Sequence, residues 1–272
     1  MQVIEANGAR IPTIGLGTWD LRGRVCSRMV DEALRLGYRH IDTAAMYDNE
    51  RAVGDGLRAS GVRRDEIFIT TKVWQSDLAA RDFERSTKAS LANLKLDAVD
   101  LLLIHWPNPH IPLAETIGAL CKMKREGGAR HIGVSNFTVD LLAQAVKLSS
   151  EPLICNQIEY HPFLDQARVI AAMRKHGMAV VAYSPIARGS AKDDALLMRI
   201  GKAHGKTAAQ VCLRWLVQQG IIVIPRTSKS ERLRENFNVF DFKLSDAEMK
   251  QIAGLAHPRG RKVDWSGSPR WD

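Results

Sequence analysis

Hydrophobic positions along the chain fall into short runs separated by longer amphipathic stretches. Eight runs of mainly apolar residues read as strands: "IGLGT" 14–18, "YRHID" 38–42, "IFITTKV" 67–73, "VDLLLIHW" 99–106, "RHIGVSN" 130–136, "LICNQIEY" 153–160, "MAVVAYS" 178–184 and "IIVIPRT" 221–227. Between them, helical patterning covers Cys26–Leu36, Leu78–Leu94, Leu113–Arg125, Val139–Leu148, Gln166–His176 and Thr207–Gln218. Gly37, Gly61, Gly177 and Gly220 stand where helices should stop, since a left-handed cap costs glycine little. A shorter alternation, Val3–Glu5 and Ile11–Thr13 around "NGAR", predicts an opening hairpin.

Near-continuous apolar runs suit a parallel sheet covered on both faces. Eight βα units in 272 residues predict an α/β fold, a closed (β/α)8 TIM barrel with an N-terminal β-hairpin. An open doubly wound sheet uses the same elements. No Pro-, Gly- or Ser-rich linker divides the chain, so residues 1–272 are expected to form one domain. The segment 257–272, "HPRGRKVDWSGSPRWD", lacks periodicity and is rich in turn formers, so it is expected to be a C-terminal surface loop.

Composition narrows the function classes. The chain is 45% hydrophobic and 25% charged, as in ordinary globular proteins. No stretch of about 18 apolar residues predicts a membrane span, and "MQVIEANGAR" is not a basic-then-apolar leader. The expectation is a cytoplasmic monomer. Cys26, Cys121, Cys155 and Cys212 show no CxxC spacing and read as reduced, partly buried thiols. A formal charge of +9 suits nucleic acid, but equally a phosphorylated cofactor or a carboxylate substrate. With no nucleic-acid motif, the small-molecule reading is preferred.

Several motifs fail. "GKAHGKT" 201–207 is one residue short of a phosphate loop and lies between helices rather than after a strand. No GxGxxG follows an early strand, and the eight histidines show no HExxH spacing, so neither a Rossmann site nor a catalytic metal is expected.

What survives is a set of polar residues at the C-terminal ends of apolar runs, where barrel enzymes place their chemistry. Asp42 and Tyr47 follow the second run, Lys72 closes the third and His105 the fourth. Singly, each has an ordinary reading as a turn former, packing residue, exposed strand end or core histidine. Together they suit protonation of an oxygen as hydride reaches carbon. A tyrosine, with a reference pKa of about 10, is a reluctant acid that a nearby ammonium improves. An aspartate can hold that ammonium, and a histidine can orient a carbonyl oxygen.

"GYRHIDTAAMYDNE", "TKVW", "LLLIHWP", "GVSNF", "NQIEYHP", "AYSPIARG" and "IPRTSKSERLREN" occur in the order of the aldo-keto reductase blocks, and the resemblance spans residues 3–256. It implies the (β/α)8 barrel and NADPH (NADP+) as hydride donor, with Tyr47 as general acid, Lys72 and Asp42 tuning it, and His105 orienting the carbonyl. It also implies that Ser135, Asn136 and Gln157 hold the nicotinamide carboxamide while Tyr183 stacks on the ring. Arg226, Thr227, Ser228 and Lys229 would lie near the 2′-phosphate, and Arg232, Glu235 and Asn236 at the adenine end. Gly17, Thr18, Trp19, Asp42, Ser184 and Ile186 complete that cofactor set. Trp19, Met46, Tyr47, Trp74, His105 and Trp106 match the substrate cleft. Arg226 departs from the lysine found in many relatives. The short chain and closing "SPRWD" resemble the bacterial branch with 2,5-diketo-D-gluconate and methylglyoxal reductases, implying reduction of keto-sugar acids, dicarbonyls and other small carbonyl compounds. Arg259, Arg261 and Lys262 would favour a carboxylate if the tail folds over the site. The rival reading is an NADPH-sensing regulatory module on the same barrel with slow turnover.

Overall fold

The computed structural model describes residues 2–272. Strands β1 (Val3–Ala6) and β2 (Ala9–Pro12) form the antiparallel hairpin, turning at Asn7 and Gly8, both with positive φ. Eight parallel strands follow in sequential order: β3 (Leu16–Gly17), β4 (His40–Asp42), β5 (Phe68–Val73), β6 (Val99–Ile104), β7 (Ala129–Ser135), β8 (Leu153–Glu159), β9 (Ala179–Tyr183) and β10 (Ile222–Val223). A parallel bridge from Ile14 to Val223 joins the first to the last, closing the barrel. Each expected strand is present.

Closure explains one glycine. A Cβ on Gly17 would lie 2.6 Å from the Ile224 carbonyl oxygen, so only glycine lets β3 come close enough for Gly17 N–H to reach the Pro225 carbonyl at 3.1 Å. Pro225 has no N–H to return, and the eighth strand is accordingly shorter than its apolar run.

The period-2 alternation hidden in the apolar runs sorts side chains into two layers. Leu101 and Leu103 join Phe68, Val181 and Ile222 inside the barrel, where Ile11 of the hairpin plugs one end. Leu102 and Ile104 face outward into the larger core shared with the helices. Helix α1 (Gly23–Leu36) buries Cys26, Met29, Val30, Ala33 and Leu34, a single 3.6-period stripe, and stops at left-handed Gly37. Helix α2 (Glu50–Ser60) carries Gly54 and Gly56 at costly mid-helix positions, because a Cβ there would meet the Leu94 or Ser27 carbonyl at 2.5 Å. Helices α3 (Ala80–Leu94), α4 (Leu113–Arg125), α5 (Val139–Leu148), α6 (Ala167–Lys175) and α8 (Ala208–Gln218) match the predicted amphipathic stretches.

Helices α7 (Ala195–His204), α9 (Ser230–Phe237) and α10 (Asp246–Ala253) complete the chain. "GKAHGKT" is the α7–α8 junction, with Gly205 as left-handed cap and Thr207 capping α8. All four cysteines are buried and free. Among the described residues, no helix is long and apolar enough to cross a membrane.

Candidate active site

The C-terminal ends of the strands converge on one polar cluster. Asp42 ends β4, held between Gly17 of β3 and Thr70 of β5, and its carbonyl accepts from both the backbone and the hydroxyl of Thr18 at 3.0 Å. The loop beyond it is cinched by buried Asn49, which accepts from the Thr43 hydroxyl at 2.7 Å and donates to the Thr18 and Leu21 carbonyls. That tie folds residues Ala45–Tyr47 into a 3-10 turn, so Tyr47, five positions after Asp42, swings back over β5. Arg22 fixes the end of the turn by donating to the Tyr47 carbonyl at 2.7 Å.

Lys72 of β5 is fully buried, and all three of its ammonium donors are used. Nζ donates to Asp42 Oδ1 at 2.5 Å, the Thr43 carbonyl at 2.9 Å and Tyr47 Oη at 3.2 Å. Gln157 Nε2 donates to the other Asp42 oxygen at 2.7 Å. Burial opposes the Lys72 charge, yet Asp42, Tyr47 and their hydrogen bonds outweigh it and hold its pKa above the ordinary lysine value. Burial raises the Tyr47 phenol, while Lys72 pulls it down and Asp42 pushes it up. The lysine thus acts on the phenol in the expected direction, against a desolvation that sequence does not reveal.

His105 follows β6, with its ring 5.5 Å from that of Tyr47 and 5.1 Å from that of Trp74, both edge-on. Burial and then the Lys72 charge hold its pKa well below the usual histidine value, so the imidazole is neutral near pH 7. Its Nδ1 is buried without a partner. Trp19 packs edge-on against Tyr47 at 4.9 Å and is 43% exposed. Met46 is exposed beside Tyr47, and Trp106 is buried.

The residues implied for a nicotinamide cofactor lie along neighbouring strand ends. Ser135 on β7, Asn136 just after it and Gln157 on β8 are all buried. Asn136 has positive φ and accepts from the Tyr183 hydroxyl at 2.7 Å, which fixes the half-buried Tyr183 ring. Ser184 follows in left-handed conformation, and Ile186 is half-buried. At the far end, Arg226 donates to the Trp19 and Asp20 carbonyls and pairs with the Asp20 carboxylate at 3.5 Å. Thr227 Oγ1 accepts from Lys229 N–H. Ser228 is half-buried beside them. Among the described residues, Lys229, Arg232 and Arg234 form no salt bridge, and α9 begins without a side-chain cap. Of these, Lys229 and Arg232 stand at the uncapped helix start, where free cations fit a phosphate. Asn236 is buried, and Glu235 accepts from the Thr207 hydroxyl at 2.6 Å.

Sequence reasoning passes over Trp265 and Trp271. The tail is irregular, as expected, but it lies across the barrel mouth. Trp265 stacks on Trp74 at 5.7 Å and 15°, and also meets Trp106 edge-on at 5.7 Å. Trp271 meets Trp106 at 6.0 Å, and the half-buried Arg261 lies 3.6 Å over its ring. The Asp272 carboxylate accepts from Val139 N–H at the start of α5. Two tryptophans among turn formers were the available signal for this docking.

Comparison with known proteins agrees with the geometry. The family model for the aldo/keto reductase family matches residues 13–257. A methylglyoxal reductase of Yersinia pestis is 41% identical over 266 residues, covering 96% of this chain and 99% of that protein. A crystal structure described as a candidate 2,5-diketo-D-gluconic acid reductase B is 46% identical, with TM-score 0.98 over 100% of this chain and 98% of that one. A Bombyx mori aldo-keto reductase in complex with NADP is 33% identical, with TM-score 0.89 over 97% and 95% of the two chains. The chain is an oxidoreductase that belongs to the aldo/keto reductase family.

Proposed function

We propose that this enzyme uses NADPH to reduce small aldehydes and ketones to alcohols, among them dicarbonyls such as methylglyoxal and keto-sugar acids such as 2,5-diketo-D-gluconate. The observation that carries the reading is the Lys72 ammonium, buried and bonded to both Asp42 and Tyr47 Oη beneath an aromatic cleft. Ser135, Asn136, Gln157 and Tyr183 would hold the nicotinamide, which would supply the hydride when bound. Tyr47 donates its proton to the carbonyl oxygen as negative charge develops there. Lys72 stabilises the phenolate left behind, and Asp42, fixed by Gln157, keeps the ammonium in place. Neutral His105 contributes a ring N–H to the same oxygen. Its buried Nδ1 has no acceptor, so the proton belongs on Nε2, which makes no hydrogen bond within the protein.

Trp19, Met46, Trp74 and Trp106 form the cleft, and the Trp265 roof limits its size and excludes water. Preference for NADPH is assigned to Arg226, Lys229 and Arg232, and the one-domain barrel acts as a monomer. Support for the substrate class comes from the methylglyoxal reductase relative, and for the cofactor from the NADP complex of the silkworm relative. The test is oxidation of NADPH, and separately NADH, against methylglyoxal, 2,5-diketo-D-gluconate, an aromatic aldehyde and a steroid ketone. Turnover of the first two with NADPH is expected. Faster turnover of the steroid, or equal use of NADH, would reject the substrate or cofactor assignment.

A further inference from the structure

Glu159 closes β8, opposite Tyr183 in the register, and has no solvent exposure. The proton-transfer step above does not use it. A buried carboxylate persists only when donors surround it, and two of its donors come from the tail, about a hundred residues away. Oε1 accepts from Lys262 N–H at 2.7 Å and Oε2 from Val263 N–H at 2.9 Å. His161, also fully buried, places Nε2 2.9 Å from Oε1. With Nδ1 lacking any partner, the His161 proton belongs on Nε2, making a third donor.

The tail root is fitted to the same loop from the other side. His257 N–H donates to the Phe163 carbonyl at 3.2 Å, and a Cβ on buried Gly260 would lie 1.7 Å from that oxygen. Trp265 follows Val263 by two residues. From it, packed rings run through Trp74 to His105.

We propose that Glu159 is a positioning residue, a buried latch that fixes the tail root and so sets the height of the Trp265 roof over the carbonyl site. Selectivity between compact and bulky carbonyl compounds depends on it. This inference rests on the reductase reading above. A carboxylate is required, because three donors converge and an amide would turn its own N–H groups against one of them. Glu159→Gln keeps the shape while mismatching the hydrogen bonds.

The experiment compares wild type, Glu159→Gln, Trp265→Ala and the double variant. It measures kcat and KM with methylglyoxal and with a bulky aromatic aldehyde, and the near-ultraviolet circular dichroism of the stacked Trp74–Trp265 pair without substrate. Glu159→Gln should raise KM for methylglyoxal at least fivefold with kcat within twofold, narrow discrimination against the aldehyde and weaken the tryptophan signal. In the Trp265→Ala background it should add nothing. Full additivity, or an unchanged KM ratio with an intact signal, would overturn the latch. If Glu159→Gln does not fold, Gly260→Ala disturbs the same root without altering charge. It should give the same KM shift, and an unchanged KM would overturn the proposal. Should wild type reduce no carbonyl, the functional reading fails, and the dichroism alone still decides whether Glu159 holds the roof.

Discussion

Replacing Lys72 by methionine removes one charge from the centre of the site while keeping most of the side-chain volume. Nζ lies 3.2 Å from Tyr47 Oη. At an effective dielectric of about 20, Coulomb's law gives roughly 5 kcal/mol for a full ammonium–phenolate pair at that distance. That is an upper bound, since Asp42 opposes the effect. With about half the phenolate charge developed in the transition state, the loss is about 2.5 kcal/mol, or roughly 50–100-fold in turnover. Reduction needs a protonated phenol, so its rate falls as pH rises through the Tyr47 pKa. Without the ammonium that pKa rises further, and the alkaline limb of the profile moves to higher pH. The variant also leaves the Asp42 carboxylate buried and unpaired, a destabilisation of about 3–5 kcal/mol. Asp42→Asn/Lys72→Met relieves that charge and separates folding from catalysis. It should recover thermal stability but not turnover. The assay is steady-state NADPH oxidation from pH 6 to 11.5, past the ordinary phenol value that burial raises, beside a melting curve. Turnover within threefold of wild type, with the alkaline limb unmoved, would refute the role given to Lys72.

Other outcomes follow from the same structure. Arg232→Ala should weaken NADPH at least tenfold and NADH less than twofold, because a charge-assisted phosphate contact is worth about 1.5–3 kcal/mol; equal losses in fluorescence titrations would remove Arg232 from the 2′-phosphate. Burial lowers the His40 pKa to about 4, so the folded state excludes a proton that the unfolded chain binds below its ordinary value near 6.5. Stability should therefore be fully present above pH 6.5 and decline by about 3 kcal/mol towards pH 4 from this group alone. Denaturant titrations across that window should show the decline, and His40→Gln should flatten it unless His40 is charged in the folded state. Gly17→Ala should cost at least 1–3 kcal/mol by forcing β3 from β10; an unchanged melting temperature would show that the barrel seam yields.

Sequence alone reaches most of this architecture, for identifiable reasons. The eight strands were legible because both faces are buried, which leaves apolar runs too short for helices, and left-handed glycines marked the intervening helix ends. Helices α7 and α10 were passed over, although Ser245 and Glu248 form a capping box whose spacing was visible. In the site, Asp42, Tyr47, Lys72 and His105 stood out as polar interruptions at strand ends, and the fold brings them together. Asn49 and Glu159 did not, because their importance lies in backbone groups distant in sequence. The tail was hidden for a related reason: its order comes from stacking on Trp74 and Trp106 and from a carboxylate on β8, which no local periodicity records.

Tyr47→Phe tests the central claim most directly, because it removes only the hydroxyl that Lys72 holds. Single-turnover reduction of methylglyoxal by preloaded NADPH would be compared with the wild-type rate, alongside NADPH affinity from tryptophan quenching. A fall of about 10²–10⁴ in the reduction rate with affinity unchanged is predicted for a general acid. Reduction near the wild-type rate in a variant that still binds NADPH would contradict the account and move the proton donor elsewhere.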